Sequence, residues 1–393
     1  MTNFFTNIKG IYSSAINCGI KEGKLDLTYI YIPDCYASAG VFTKNKFAAD
    51  CVYFNKENIK ANNLKAFVIN SGNANAVTKN GRLANNEIAN FVAKKLNIKK
   101  EEVGIASTGI IGKELPYENI LSGLNSLLDN PAKHDGELSS KAIMTTDLVP
   151  KSVYLEKDIA GKKVIVSGIA KGSGMISPNM ATMLGFVFTN VKIPKALLQE
   201  MLSVITDETY NMVSVDTDTS TNDMVLAFAT DEIELDFSNQ TTKDEFKNLF
   251  KEVNLCLAKK IARDGEGATK LIEVEVLGAE TFDDARKIAK SVVDSPLVKT
   301  AIHGADANWG RIIMAIGKVD NTNVEVAKVN LQLQGVQILK NGFPVEFNKL
   351  EVTNKLKEEN IFIKINLSLG EFSSKAWGCD LSHKYIDINV DYN

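Results

Sequence analysis

The chain has 393 residues, 45% of them hydrophobic and 24% charged, and its 45 Lys and Arg stand against 48 Asp and Glu for a formal net charge of -3. That length suits one large domain with a smaller partner, the composition is that of a folded globular protein, and the balanced charge excludes the basic field of a nucleic-acid or anionic-lipid binder. The five cysteines, Cys18, Cys35, Cys51, Cys256 and Cys379, are scattered without a C-x-x-C pair, which argues against a disulfide framework or a zinc site and for a reducing compartment. The opening MTNFFTNIKGIYSSAINCGI lacks a basic segment followed by a long apolar one, and no run is long enough to cross a bilayer. A cytoplasmic location is expected, with small molecules as partners and neither nucleic acid nor membrane.

In chain order, Ala66 to Asn70 reads as a buried strand, and Ala84 to Leu96 as a helix with Ile88, Phe91, Val92 and Leu96 on one face. Val103 to Ser107, Lys163 to Ala170 and Met183 to Val191 read as strands. Pro194 suits the first turn of a helix running to about Glu208. Thr242 to Arg263 reads as a helix with the capping pattern Thr242-x-x-Glu245, followed by a strand at Leu271 to Leu277. From about residue 276 the pattern restarts: a helix at 282–292, a Gly-rich turn HGADANWGR, strands around 323–346 with the turn Asn341-Gly342, a short helix, and strands at 361–367 and 385–390. The class is mixed α/β, with one domain over residues 1–275 and a smaller α/β domain over 276–393.

Three polar stretches interrupt this pattern. NSGNANA (Asn70 to Ala76) and Ser107-Thr108-Gly109 each follow a strand. A hydroxyl beside a glycine amide can form an oxyanion hole for acyl transfer. The third, KGSGMISPNMATML, sets Thr182 at the mouth of an apolar run. A threonine becomes a useful nucleophile when it is the first residue of a chain, because its α-amine, with a reference pKa of roughly 7.7 to 8.0, then serves as base. Thr182 would need the Ala181–Thr182 bond cut, and a Gly- and Pro-rich approach suits attack by its hydroxyl on the preceding carbonyl. Taken singly, the same residues also read as ordinary turns, or as a weak phosphate loop.

Taken together and in this order, NSGNANA, STGIIG, MTTD (Met144 to Asp147), KGSGMISPNMATML, DGEGATK (Asp264 to Lys270), GADANWGRI (Gly304 to Ile312) and the terminal INVDY resemble the glutamate N-acetyltransferase and ornithine acetyltransferase family of arginine biosynthesis over nearly the whole chain. The resemblance implies an N-terminal-nucleophile-like four-layer αββα sandwich, self-cleaved between Ala181 and Thr182. Thr182 would be the nucleophile and Thr108 and Gly109 the oxyanion pair. Thr145, Lys171, Thr182, Glu266 and Asn389 would contact substrate, Lys171 offsetting a carboxylate and Glu266 attracting an ammonium.

The implied reaction moves the acetyl group from N2-acetyl-L-ornithine to L-glutamate through acetyl-threonine, with no cofactor and no metal. Acetyl-CoA as a second donor is left open. The implied assembly is a heterotetramer of two α and two β chains. The alternative is an N-terminal-nucleophile amidase or aminopeptidase, which would hydrolyse its acyl-enzyme.

Two departures are visible. GADANWGRI has Ala307 where the family commonly has proline, and its Asp306, Asn308 and Gly310 are expected to build a turn rather than touch substrate. The tail, Asn389 to Asn393, stops one residue short of the family's Asn-x-x-Tyr-x-Ser/Thr, so the contact made by that final hydroxyl is expected to be lost. The three histidines, His134, His303 and His383, show no metal-ligand spacing.

Overall fold

A computed structural model describes residues 3–177 and 183–390. The expected cleavage point, Ala181 and Thr182, and the last three residues of the tail lie outside the described residues. The chain divides into two compact units, the first of residues 1–172, 178–210 and 219–257, and the second of 173–177, 211–218 and 258–393.

The first unit is built on two sheets. Its elements begin with β1 (Tyr12–Ile16), β2 (Leu27–Tyr31), β3 (Ala37–Phe42), α1 (Asp50–Ala61), β4 (Ala66–Asn73), α2 (Gly81–Leu96) and β5 (Val103–Ile110). There follow α3 (Tyr117–Leu128), α4 (Gly136–Ala142), β6 (Lys151–Ile159), β7 (Lys162–Lys171), β8 (Leu184–Lys192) and α5 (Lys195–Glu208). The two-residue β9 (Val213–Ser214) serves the second unit, and β10 (Met224–Glu234) returns to the first before α6 (Gln240–Arg263). One sheet has the order β1-β2-β4-β5 and the other β3-β10-β8-β7-β6.

The sheets face each other across an aromatic core. Phe67 on β4 meets Phe186 on β8 edge-on at 5.4 Å between ring centroids and Phe228 on β10 at 6.2 Å, while Phe188 stacks between Phe5 and Phe228 at 4.5 and 5.4 Å. Burying each such ring contributes roughly 1.5–3 kcal/mol. β8 is buried on both faces through Leu184–Val191, which its central place between β7 and β10 requires. Helices α2 and α3 pack on the first sheet and α5 on the second, so the unit reads helix, sheet, sheet, helix.

In the second unit, β11 (Leu271–Ala279) is followed by α7 (Phe282–Asp294), α8 (Pro296–His303) and α9 (Trp309–Gly317). Then come β12 (Asn330–Leu333), β13 (Val336–Lys340), β14 (Phe343–Pro344), α10 (Lys349–Lys355), β15 (Asn360–Asn366), β16 (Phe372–Cys379) and α11 (His383–Val390). The sheet order is β14-β13-β12-β15-β11-β16-β9. On β15 Ile361, Ile363 and Ile365 are buried and their neighbours exposed, the period of a sheet covered on one face. Thr281 caps α7 by accepting from the Asp284 N–H, and Ala285, Ile288, Ala289 and Val292 form its buried stripe.

Four expectations change. The strand at Leu271 to Leu277 sits inside the second unit's sheet, between β15 and β16, so that unit's continuous stretch begins at Ala258, within α6, rather than near 275. Residues 385–390 are helical, not a strand: β16 fills the sheet position beside β11, and α11 has no buried residue to anchor it there. The cap of α6 is Asn239, whose Oδ1 accepts from the Thr242 N–H at 3.1 Å; the helix begins ahead of Thr242. Asp306 and Asn308 do form a turn, joined at 3.2 Å, but Gly310 belongs to α9.

Candidate active site

The two Gly-rich stretches after β4 and β5 meet. These strands run parallel in register from Ala66 opposite Val103 to Gly72 opposite Gly109, and the register breaks at Asn73. Gly72 has φ +94° and Gly109 φ +136°, left-handed values that only glycine adopts without strain. A Cβ on Gly109 would lie 2.3 Å from the Gly72 carbonyl carbon and 2.5 Å from the Asn73 nitrogen, so the close approach of the two backbones demands glycine. The bulge is tied down by side chains. Ser107 Oγ donates to Asn70 Oδ1 at 2.7 Å, Asn70 Nδ2 to the Asn73 carbonyl at 2.9 Å, and Asn222 Nδ2 to the carbonyls of Ala74 and Ser107 at 2.5 and 2.9 Å.

Lys171, the last residue of β7, brings a third strand end to this place. Its ammonium donates to Thr108 Oγ1 at 3.3 Å, and both side chains are buried. A hydroxyl that accepts from an ammonium still has its own proton to give. Thr108 can therefore donate to a developing oxyanion beside the Gly109 N–H.

Asp147 organises the surroundings. Its Oδ1 accepts from Lys151 Nζ at 2.6 Å and from the Gly172 N–H at 2.7 Å, and its Oδ2 from the Thr145 N–H at 2.9 Å. Burial alone would raise its pKa; the charges of Lys171 and Lys151, with the hydrogen bonds from Lys151 and Gly172, outweigh that and bring it down to about 2. Thr145 is thus held against the end of β7 by a carboxylate that stays ionised.

The second unit assembles a separate group. Glu266, buried in the turn after α6, lies against Gly174: a Cβ there would fall 2.3 Å from Glu266 Oε1. Asn389 on α11 donates to Glu266 Oε2 at 2.7 Å and to the Tyr385 carbonyl at 2.9 Å. Asp216 accepts from the N–H groups of Met175 and Ile176 at 2.6 and 2.7 Å, pinning the segment that leads to the expected cleavage point. Met175 there has φ +57°. Burial pushes the Asp216 carboxyl upward. Burial first, and then Asp216, Glu266 and Asp218, push the Tyr385 phenol up to about 12. Asp380, at the end of β16, accepts from the N–H groups of Thr269 and Lys270 at 2.7 and 2.8 Å and pairs with His303 Nδ1 at 2.7 Å, fixing the rest of the DGEGATK turn.

The structure thus joins Thr108, Gly109 and Lys171, sets Thr145 beside Asp147, and joins Glu266 with Asn389; Ala181 and Thr182 fall outside the described residues. Sequence reasoning missed Asp147, Lys151, Asn222 and Asp216. The signal for the first two was present, since MTTD ends on the aspartate and the lysine follows at i+4. Among the described residues no group of three or more His, Cys, Asp or Glu could hold a metal ion, and the five cysteines are free thiols.

A buried threonine hydroxyl that accepts from a buried lysine, followed directly by a glycine of positive φ, suits an acyltransferase. The model of the ArgJ family matches residues 12–393. The arginine biosynthesis bifunctional protein ArgJ of Oceanobacillus iheyensis is 43% identical over 391 residues, covering 98% of this chain and 95% of that protein. Its counterpart in Lactococcus lactis is 45% identical over 387 residues, covering 98% and 97%. A crystal structure of the ArgJ protein of Bacillus halodurans shares 42% identity over 53% of this chain and 99% of that chain, with a TM-score of 0.49. The chain belongs to the ArgJ family. It is an acyltransferase of arginine biosynthesis.

Proposed function

We propose that the chain cuts itself between Ala181 and Thr182 and then transfers acetyl from N2-acetyl-L-ornithine to L-glutamate. Thr182 Oγ, with its own α-amine as base, attacks the acetyl carbonyl; the carbonyl π electrons move onto oxygen, where Thr108 and Gly109 stabilise the charge. On collapse the C–N bond breaks, the α-amine passes the proton it took from Thr182 to the departing nitrogen, and ornithine leaves acetyl-Thr182 behind. The amine of glutamate attacks that ester, and Thr182 leaves as its hydroxyl. Thr145, Lys171, Glu266 and Asn389 hold substrate. No cofactor is consumed in this cycle, acetyl-CoA is a second candidate donor, and the two halves of the chain remain together in an α2β2 assembly. Hydrolysis of the acyl-enzyme, the amidase alternative, is set aside by the family match.

The observation that carries this reading is the Lys171 ammonium donating to the buried Thr108 Oγ1, one residue from the close-packed backbones of Gly72 and Gly109. Intact mass after incubation with N-acetylornithine tests it. Two chains are expected, with one acetyl group on the chain that begins at Thr182, removed by adding glutamate. A single full-length chain with wild-type activity overturns it.

A further inference from the structure

Lys21 sits beside the Gly72–Gly109 pair, and nothing in the sequence marks it. It falls in GIKEGK, just ahead of Glu22 and Lys24, where a lone lysine reads as a solvated surface group. The fold puts it elsewhere. Asp26, fully buried, accepts from the N–H groups of Cys18, Ile20 and Lys21 at 2.7, 2.7 and 2.9 Å, and this tight loop turns the lysine towards β4. The side chain then runs over Gly72: a Cβ there would lie 2.7 Å from Lys21 Cγ and 3.4 Å from its Cδ. Glycine at 72 therefore makes room for Lys21 as well as for Gly109.

The ammonium ends at the Met144 carbonyl, 3.0 Å away, next to Thr145. Among the described residues it makes no ion pair, although an ammonium carries three donors. The charges acting on it are Asp26, Lys24, Asp147 and Lys171. Asp26 is occupied by its loop, and Asp147 by Lys151, Gly172 and Thr145. A half-buried cation with donors to spare, beside a second lysine and an oxyanion pair, is costly unless an anion completes it.

We propose that Lys21 is a substrate-binding residue of this site, taking the α-carboxylate of the amino-acid substrate together with Lys171. That carboxylate is the anionic group common to an N-acylated donor and an amino-acid acceptor, so one cation pair serves both half-reactions. The proposal rests on the acyl-transfer reading above. Burial brings the free ammonium down to about 8, so it loses its proton, and with it the carboxylate, as pH rises through that value.

The test is steady-state kinetics of purified Lys21→Met, which keeps the methylenes over Gly72, alongside Lys21→Arg. Lys21→Met should raise KM for both N-acetylornithine and glutamate by roughly ten- to a hundredfold, as loss of one charged contact does, with kcat changed far less; Lys21→Arg should restore most of it. In wild type kcat/KM should fall above about pH 8, and Lys21→Met should lack that limb. Unchanged KM values, or a fall in kcat alone, overturn the assignment. Should Lys21→Met not fold, a wild-type kcat/KM that stays flat from pH 7 to about 9 overturns it equally. Wild-type protein that never becomes acetylated defeats the acyl-transfer reading instead, so the two failures are distinct.

Discussion

The two groups of candidate residues are built in opposite ways. In the first unit they stand at the ends of β5 and β7, inside a network of buried side chains: Thr108, Lys171, Asp147 and Lys151 are each at most 9% exposed. In the second, Glu266 comes from a turn and Asn389 from α11, a helix without a single buried residue. Strand ends locked by a sheet hold atoms to fractions of an ångström, as stabilising a developing charge requires. A short surface helix cannot do so, and it suits recognition, where a loosened contact weakens binding without stopping the chemistry. Substitutions of the proposed oxyanion pair and of Asp147 should therefore strike kcat or folding, and those of Glu266 and Asn389 KM.

The largest effect is expected at Gly109. Alanine there must adopt φ +136° and push against the Gly72 and Asn73 backbone, so the Gly109 N–H and Thr108 move together. Loss of one oxyanion donor costs roughly 10²–10³ in turnover, and Gly109→Ala should cost at least that in kcat. A variant with kcat within a few-fold of wild type and a raised KM would place Gly109 among the binding residues and erase the contrast.

Asp147 comes next, and it reads stability. Asp147→Asn leaves Lys151 and Lys171 with a neutral partner in a buried place, and breaking a buried pair typically costs about 3–5 kcal/mol. Its pKa is depressed when folded, so its contribution is complete above the ordinary carboxylate value and is lost as pH falls from about 4 through about 2. That contribution is about 2 kcal/mol. Urea unfolding between pH 5 and 2 should show wild type losing stability faster than Asp147→Asn; parallel curves would show that the network does not depend on this charge.

The same contrast explains what could be read in advance. Strands β4, β5, β7 and β8 announced themselves because they are apolar runs ended by Gly- and Asn-rich stretches, and local chemistry alone selects them. β16 did not: FSSKAWGC mixes two aromatics with small and polar residues and has no continuous apolar run, and it is a strand because β11 pairs with it from Leu271 opposite Cys379, a tertiary cause. YIDINV alternates like a strand yet lies in a helix, whose start Ser382 caps by accepting from the Lys384 N–H. Lys21 and Asp216 were invisible for a related reason. Nothing beside them along the chain marks a role, and only the fold supplies Gly72 to one and the Met175–Ile176 amides to the other.

Gly267 offers the counterpart of Gly109 in the second unit. It has φ +71°, and a Cβ would lie 2.6 Å from the Tyr385 nitrogen, so Gly267→Ala shifts the start of α11. Backbone strain of this kind costs about 1–3 kcal/mol. Because α11 is an exposed helix, most of that should be relieved by movement. KM for N-acetylornithine should rise by about tenfold with kcat near wild type, whereas a kcat loss matching that of Gly109→Ala would mean that the second group is as tightly coupled to chemistry as the first.

Asn389→Ala should give the smallest change. Its amide makes one contact with a carboxylate, Glu266 Oε2 at 2.7 Å, and one with the helix's own Tyr385 carbonyl. Alanine favours the helix slightly more than asparagine does, so α11 should persist. Water can reach this exposed position and replace the lost donor, which limits the cost to about 0.5–1.5 kcal/mol. Glu266 keeps its place because its position is set by the turn and by Gly174, not by Asn389. KM for N-acetylornithine should therefore rise only severalfold, with kcat and thermal midpoint unchanged. Asn389→Asp, which sets a second carboxylate against Glu266, should raise KM more than alanine does. Equal effects from the two variants would mean that the amide's role is to fill space rather than to orient the Glu266 carboxylate.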